Sequence, residues 1–125
     1  MKLHHIALTV KNLPISIAFY EELFNFKEIK RFRRDDMEAT GCFIEGENLI
    51  IELWEFDKYK NGTREELSYT GIKHVAFIHE NLEKFRNLLI EKGINCESIK
   101  QGKSGGSYFF LSDPDENKIE IYKPN

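Results

Sequence analysis

Two histidines and two glutamates recur at a near-constant spacing along this 125-residue chain. His5 is followed 69 positions later by His74, and Glu52 is followed 68 positions later by Glu120. Imidazole nitrogens mixed with carboxylate oxygens are the donor set that divalent transition metals take. Two neutral imidazoles and two carboxylates balance a doubly charged cation and leave octahedral positions open. Open positions belong to catalytic metal sites, whereas structural zinc is usually closed by four protein ligands. Zn, Ni, Co, Mn and Fe all suit this set, and ligand identity alone does not choose among them. Taken singly, each histidine reads as an ordinary hydrogen-bonded strand-start residue and each glutamate as a solvent-facing one. The fourfold coincidence argues for a common role. His4 neighbours His5 and, on one regular strand, must point the opposite way. His4 and His79 are therefore read as structural or exposed.

The elements that must carry these residues repeat as well. His4-His5-Ile6-Ala7-Leu8-Thr9-Val10 is matched by Lys73-His74-Val75-Ala76-Phe77-Ile78, and Asn12-Leu13 by Asn81-Leu82. Leu49-Ile50-Ile51-Glu52-Leu53-Trp54 is matched by Asn117-Lys118-Ile119-Glu120-Ile121-Tyr122. Each half reads as a strand, a helix and three further strands. The helices are expected over residues 12–26 and 81–92, each after an asparagine cap, with Pro14 in the first turn and Gly93 as a left-handed stop. Leu82, Phe85, Leu88 and Leu89 form the apolar stripe of the second helix. The later strands are expected at 27–32, 39–45 and 49–56, then at 96–100, 107–112 and 118–123. Residues 57–71, with Asn61-Gly62, read as a linker between module one (1–56) and module two (72–125), all within one domain. The architecture is α+β, two βαβββ modules. A single ferredoxin-like fold is the alternative, but it has fewer strands and no repeated strand-borne carboxylate.

Side chains alternate across a strand. Ile6, Leu8 and Val10 share the face toward the helix, and His5, Ala7 and Thr9 share the other. Val75 and Phe77 oppose His74 and Ala76. Ile51 and Leu53 oppose Glu52, and Ile119 and Ile121 oppose Glu120. All four ligand-type residues thus point away from the helices. Carboxylates among aromatics such as Trp54 and Tyr122 cost several kcal/mol unless compensated, and a divalent cation compensates both.

Composition sets the outer limits. The formal net charge is −3, with 41% hydrophobic and 31% charged residues, which fits one globular domain and not a disordered chain. No apolar run is long enough for a membrane span. The start shows no secretory apolar region, so a cytoplasmic location is expected. A mildly acidic chain is a poor nucleic-acid binder, and the basic run Lys30-Arg31-Phe32-Arg33-Arg34, followed at once by Asp35-Asp36, reads as a solvated segment. Cys42 and Cys96 form no paired motif and read as reduced structural residues.

With these motifs in hand, together with Phe19-Tyr20 and the turn Asp113-Pro114-Asp115, the chain resembles the vicinal oxygen chelate superfamily over residues 2–123. This is the glyoxalase/bleomycin resistance/dihydroxybiphenyl dioxygenase fold. The resemblance implies a cupped mixed sheet around a metal, with His5, Glu52, His74 and Glu120 as ligands. The set His/Glu/His/Glu resembles the glyoxalase I pattern in particular. Extradiol dioxygenases and fosfomycin-modifying relatives use three ligands, bleomycin-binding relatives lack the metal, and methylmalonyl-CoA epimerases typically carry Gln where Glu52 stands.

The resemblance implies a metal-dependent lyase of the lactoylglutathione lyase type. It would isomerise a 2-oxoaldehyde–thiol hemithioacetal, such as that of methylglyoxal, through an enediolate that the metal stabilises. Glu120 would be the base and Glu52 would serve on the opposite face. The loop Lys103-Ser104-Gly105-Gly106-Ser107 resembles the group's substrate-side loop. Thr9 departs from the pattern, since glyoxalase I proteins often carry an arginine there for glutathione; Lys103 or Arg64 are other candidate cations. Another proton-transfer enzyme such as an epimerase, or a non-catalytic small-molecule-binding or resistance protein, is the alternative. The family usually dimerises, which implies a homodimer in which one chain supplies His5 and Glu52 and its partner the other two ligands.

Overall fold

A computed structural model describes residues 1–62 and 66–125. The chain divides into two compact units, Met1–Arg64 and Glu65–Asn125.

In the first unit β1 (Ile6–Thr9) leads into α1 (Leu13–Phe24), then β2 (Lys27–Arg34), β3 (Ala39–Glu45) and β4 (Ile50–Phe56). The sheet order is β1-β4-β3-β2, with β1 parallel to β4 and the other pairs antiparallel. The Asn12 side chain accepts from the Ile15 N–H at 3.0 Å, satisfying one of the helix's free donors. Glu55, from β4, accepts from the Leu13 N–H at 2.5 Å and so fastens the start of α1 to the strand that carries Glu52. The helix stops two residues before the expected Phe26. Asn25 takes the left-handed conformation (φ 58°), and its N–H returns to the Tyr20 carbonyl. Leu13, Ile17 and Tyr20 are buried, as are Ile51 and Leu53 of β4, in the core of this unit.

The second unit repeats the plan with β5 (Val75–Ile78), α2 (Leu82–Glu91), β6 (Lys100–Gln101), β7 (Ser107–Ser112) and β8 (Lys118–Lys123), in sheet order β5-β8-β7-β6. Asn81 caps α2 through the Lys84 N–H at 3.0 Å. At the far end Gly93, with φ 77°, lets Ile94 N–H reach the Leu89 carbonyl at 2.9 Å. Leu82, Phe85 and Leu89 are buried, whereas Leu88 is 42% exposed, so the buried stripe is narrower than expected by one residue. Asp113 is buried in the turn between β7 and β8. Its carboxylate accepts from Asp115 N–H, Asn117 N–H and the Asn117 side chain at 2.8–2.9 Å, which sets the register of the strand bearing Glu120.

One expected strand is largely missing. Instead of a strand over 96–100, there is a single bridge between Cys96 and Leu111 and a two-residue β6. The cause lies at Glu97. Its N–H donates to the Phe110 carbonyl at 2.8 Å, but its own carbonyl is taken by the Arg86 guanidinium of α2 at 2.7 Å. The segment therefore hugs β7 without extending the sheet.

The three arginines of the basic run on β2 are each paired with a nearby carboxylate. Arg31 pairs with Glu28 at 2.8 Å, Arg33 with Asp57 at 2.7 Å and Arg34 with Asp36 at 2.6 Å. These guanidiniums hold the Asp57 and Asp36 carboxyls below the usual carboxylate range. Cys42 is buried, and loss of water pushes its thiol up to about 11, which makes it a poor nucleophile.

Gly41 marks a close approach on the sheet face that carries Glu52. A Cβ there would stand 2.4 Å from the tip of the Phe32 ring. That ring packs against Trp54 at 5.2 Å and Phe43 at 5.8 Å between centroids. Gly41→Ala is expected to push Phe32 out of this cluster at a cost of about 1–3 kcal/mol. Chemical denaturation followed by emission of Trp54, the one tryptophan, reads both effects. An unchanged midpoint and spectrum would count against this packing.

Candidate metal centre

Each unit brings one histidine to one glutamate. In the first, Ala7 of β1 pairs with Glu52 of β4, which sets His5 diagonally across from Glu52. His5 Nε2 lies 3.7 Å from Glu52 Oε2. In the second, Ala76 pairs with Glu120 in the same parallel register, and His74 Nε2 lies 3.1 Å from Glu120 Oε2. Two atoms held by one ion at roughly 2.0–2.2 Å stand about 3.0–3.5 Å apart, so each pair fits as two ligands of one cation with at most a small adjustment. The side chains of Glu52 and Glu120 are 15% and 18% exposed, and those of His5 and His74 are 34% and 35%. Carboxylates this far withdrawn from water, each against an imidazole, are suited to a positive charge.

Alternation along the strands accounts for this placement. Ile51 and Leu53 are buried on the helix side, and Glu52 lies on the opposite face; Ile119 and Ile121 do the same for Glu120. A third residue, absent from the sequence reading, completes each group. Phe43 stands opposite Glu52 in the β3–β4 register, and Phe110 stands opposite Glu120 in β7–β8. The His5 ring meets Phe43 edge-on at 5.4 Å and 82°, and the His74 ring meets Phe110 at 5.2 Å and 77°. Extending the repeat to the β3 and β7 segments would have found this pair.

The two groups differ in detail. The Trp54 indole N–H donates to Glu52 Oε1, so one oxygen of Glu52 is tied down within its own strand. The matching residue in β8 is Tyr122, whose hydroxyl instead donates to the Gly105 carbonyl at 3.4 Å. The glycine loop folds close over that ring. Gly106 has φ 75°, and a Cβ there would come within 2.8 Å of Tyr122. The loop singled out in the sequence is thus seated on a neighbour of Glu120.

His4 corrects one expectation. It is exposed, but it does not turn away from His5. β1 begins only at Ile6, so strand alternation does not govern residues 4 and 5. Their Nδ1 atoms approach to 2.7 Å. His79 stacks on Phe85 at 4.8 Å, and its Nδ1 accepts from the Asn81 N–H at 3.1 Å, a structural role at the start of α2. Lys103 is exposed, and Arg64 lies outside the described residues. Among the described residues no three His, Cys, Asp or Glu side chains gather as a metal cluster; the strand-borne donors described above pair two by two.

A model of the Glyoxalase/Bleomycin resistance protein/Dioxygenase superfamily matches residues 2–121, and the chain belongs to that superfamily. The uncharacterised protein YwkD of Bacillus subtilis is 32% identical, over 97% of this chain and 95% of its own length. Lactoylglutathione lyase of Escherichia coli O157:H7 is 28% identical over 97% and 91%, and glutathione transferase FosA of Serratia marcescens is 29% identical over 96% and 79%. Among solved structures, a glyoxalase family protein from Enterococcus faecalis superposes with a TM-score of 0.84 at 24% identity, covering 97% of this chain and 96% of that one. Members of the superfamily are mostly metal-dependent enzymes acting on small molecules. No described helix is long and apolar enough to cross a membrane.

Proposed function

We propose that this protein is a metal-dependent lyase of the glyoxalase I type that isomerises the hemithioacetal of a 2-oxoaldehyde, such as methylglyoxal, and a thiol. The observation that carries the reading is the duplicated His–Phe–Glu group, with the same register and the same face in both units. His5, Glu52, His74 and Glu120 would hold one divalent ion, Zn, Ni, Co, Mn or Fe. In this reading the centre is completed in a homodimer, His5 and Glu52 from one copy and His74 and Glu120 from a second. When bound, the ion supplies a positive centre for the charge that develops on neighbouring carbonyl and hydroxyl oxygens of the substrate.

The chain's own groups divide the remaining work. Glu120 takes the proton from the hydroxyl-bearing carbon and returns it to the adjacent carbon, while the hydroxyl proton passes to the former carbonyl oxygen, so substrate and product have the same atoms and no covalent enzyme intermediate forms. Glu52, with one oxygen engaged by Trp54, is the less mobile carboxylate and acts on the opposite face. Phe43 and Phe110 pack edge-on against the two imidazoles and help to hold their ring planes.

The second reading is proton transfer without a thiol, as in an epimerase. Thr9 favours it, because this exposed position of β1 carries no cation for a glutathione carboxylate. The experiment is a screen of protein loaded with each candidate metal, against methylglyoxal mixed with several thiols. Metal-dependent loss of the adduct with formation of a thioester supports the lyase. No conversion with any thiol, together with exchange of the proton on a stereogenic carbon beside a carbonyl group, supports the second reading. A metal-free, folded protein that binds such compounds without turnover would leave only a binding module.

A further inference from the structure

The contact between His4 and His5 has a specific chemical consequence. Their Nδ1 atoms stand 2.7 Å apart, so one must donate and the other accept. The other nitrogen of His5, Nε2, is the one that faces Glu52. A metal ligand must offer a lone pair, so in a neutral His5 that coordinates through Nε2 the proton sits on Nδ1. His4 Nδ1 is then the acceptor, with its own proton on Nε2. We propose that His4 is a positioning residue that fixes the tautomer and ring plane of His5, so that Nε2 is held ready for a cation. The proposal rests on the reading of His5 as a metal ligand.

The packing limits the alternatives. The two rings meet edge-on at 5.0 Å and 86°. Both also lean edge-on against Phe43, His4 at 6.3 Å and His5 at 5.4 Å. Phe43 is the residue opposite Glu52, so the three rings and the carboxylate form one continuous group. Rotation of the His5 ring would have to break the nitrogen contact and the aromatic contact together.

The matching residue of the second unit cannot do the same. The residue before His74 is Lys73, whose ammonium has donors only and offers nothing for an Nδ1–H. The repeat thus differs at this position: the residue before His74 cannot be the acceptor that His4 offers to His5. Outer partners of metal-bound histidines are typically worth 10–100-fold in metal affinity. His4 is exposed, which places it near the lower end, about 10-fold.

The test uses the whole chain, first without metal. Long-range ¹⁵N–¹H spectra above the imidazole titration range should show His5 protonated on Nδ1, because Nε2 stands 3.7 Å from Glu52 Oε2, beyond hydrogen-bond reach, and His4 is the nearer acceptor. His4→Ala should shift it toward the Nε2–H form, and His4→Asn, which restores an oxygen acceptor, should return it. Titration with Co²⁺, followed by its visible absorption, should show about 10-fold weaker binding for His4→Ala, recovery in His4→Asn and no change in Lys73→Ala. An unaltered His5 tautomer in His4→Ala overturns the proposal, as does an unaltered Co²⁺ affinity. If the parent protein takes up no Co²⁺, the metal reading itself fails. The metal-free spectra then still decide whether His4 fixes the tautomer.

Discussion

Glu120→Gln is expected to lower turnover of the methylglyoxal–thiol adduct by about 10²-fold or more, the scale on which a positioned acid–base group contributes. The substitution keeps the side chain's size and one oxygen, but removes the group that accepts the proton. Glu120 is the better candidate of the two carboxylates for a structural reason. Glu52 is bound by Trp54 in its own strand, whereas the corresponding Tyr122 reaches toward Gly105. Glu120 has no such indole partner in its own strand, and in the proposed reaction this would leave it the carboxylate that meets a substrate carbon. The comparison with Trp54→Phe sharpens this. Freeing Glu52 should change the rate far less than losing the Glu120 carboxylate. Steady-state kinetics with saturating metal measures both, and full turnover in Glu120→Gln would reject the base assignment.

Removing a donor from either unit is expected to abolish tight metal retention. His5→Ala, Glu52→Gln, His74→Ala and Glu120→Gln should each weaken a divalent ion by more than the roughly 10–100-fold attached to outer-shell partners. The equality matters more than the size. If one ion needs both pairs, loss of a donor in Met1–Arg64 harms it as much as loss in Glu65–Asn125. Elemental analysis of dialysed protein should give one ion per chain for the parent and little for each variant. The core should tolerate these changes, since Ile51, Leu53, Ile119 and Ile121, not the ligands, are the buried residues of these strands. Two ions per chain, with each variant losing only one, would mean that each pair binds its own.

The duplication made much of this readable in advance. Period-two alternation around Ile51-Glu52-Leu53 and Ile119-Glu120-Ile121 separated the buried residues from the glutamates on the opposite face, and the structure keeps that separation. Asparagine caps and Gly93 marked helix ends because those rules act within a few residues. What stayed hidden depended on partners distant in the chain. Arg86 removed the Glu97 carbonyl from the sheet and shortened β6. Glu55 reached 42 positions back to cap α1. Phe43 and Phe110 came to stand opposite Glu52 and Glu120 only when β3 and β7 were set beside the glutamate strands. The turning of His4 toward His5 arose because both precede the first paired residue of β1, where alternation no longer applies.

Mixing two defective chains tests the central claim most directly. Glu52→Gln and Glu120→Gln are each expected to lose the ion when alone. If His5 and Glu52 of one copy join His74 and Glu120 of a second, unfolding and refolding the two variants together creates heterodimers with one complete set of donors. Metal content and adduct turnover should then reappear in the mixture. Failure to regain either in verified heterodimers would contradict a centre shared between copies, and parent protein that is folded yet retains no divalent ion would contradict the centre itself.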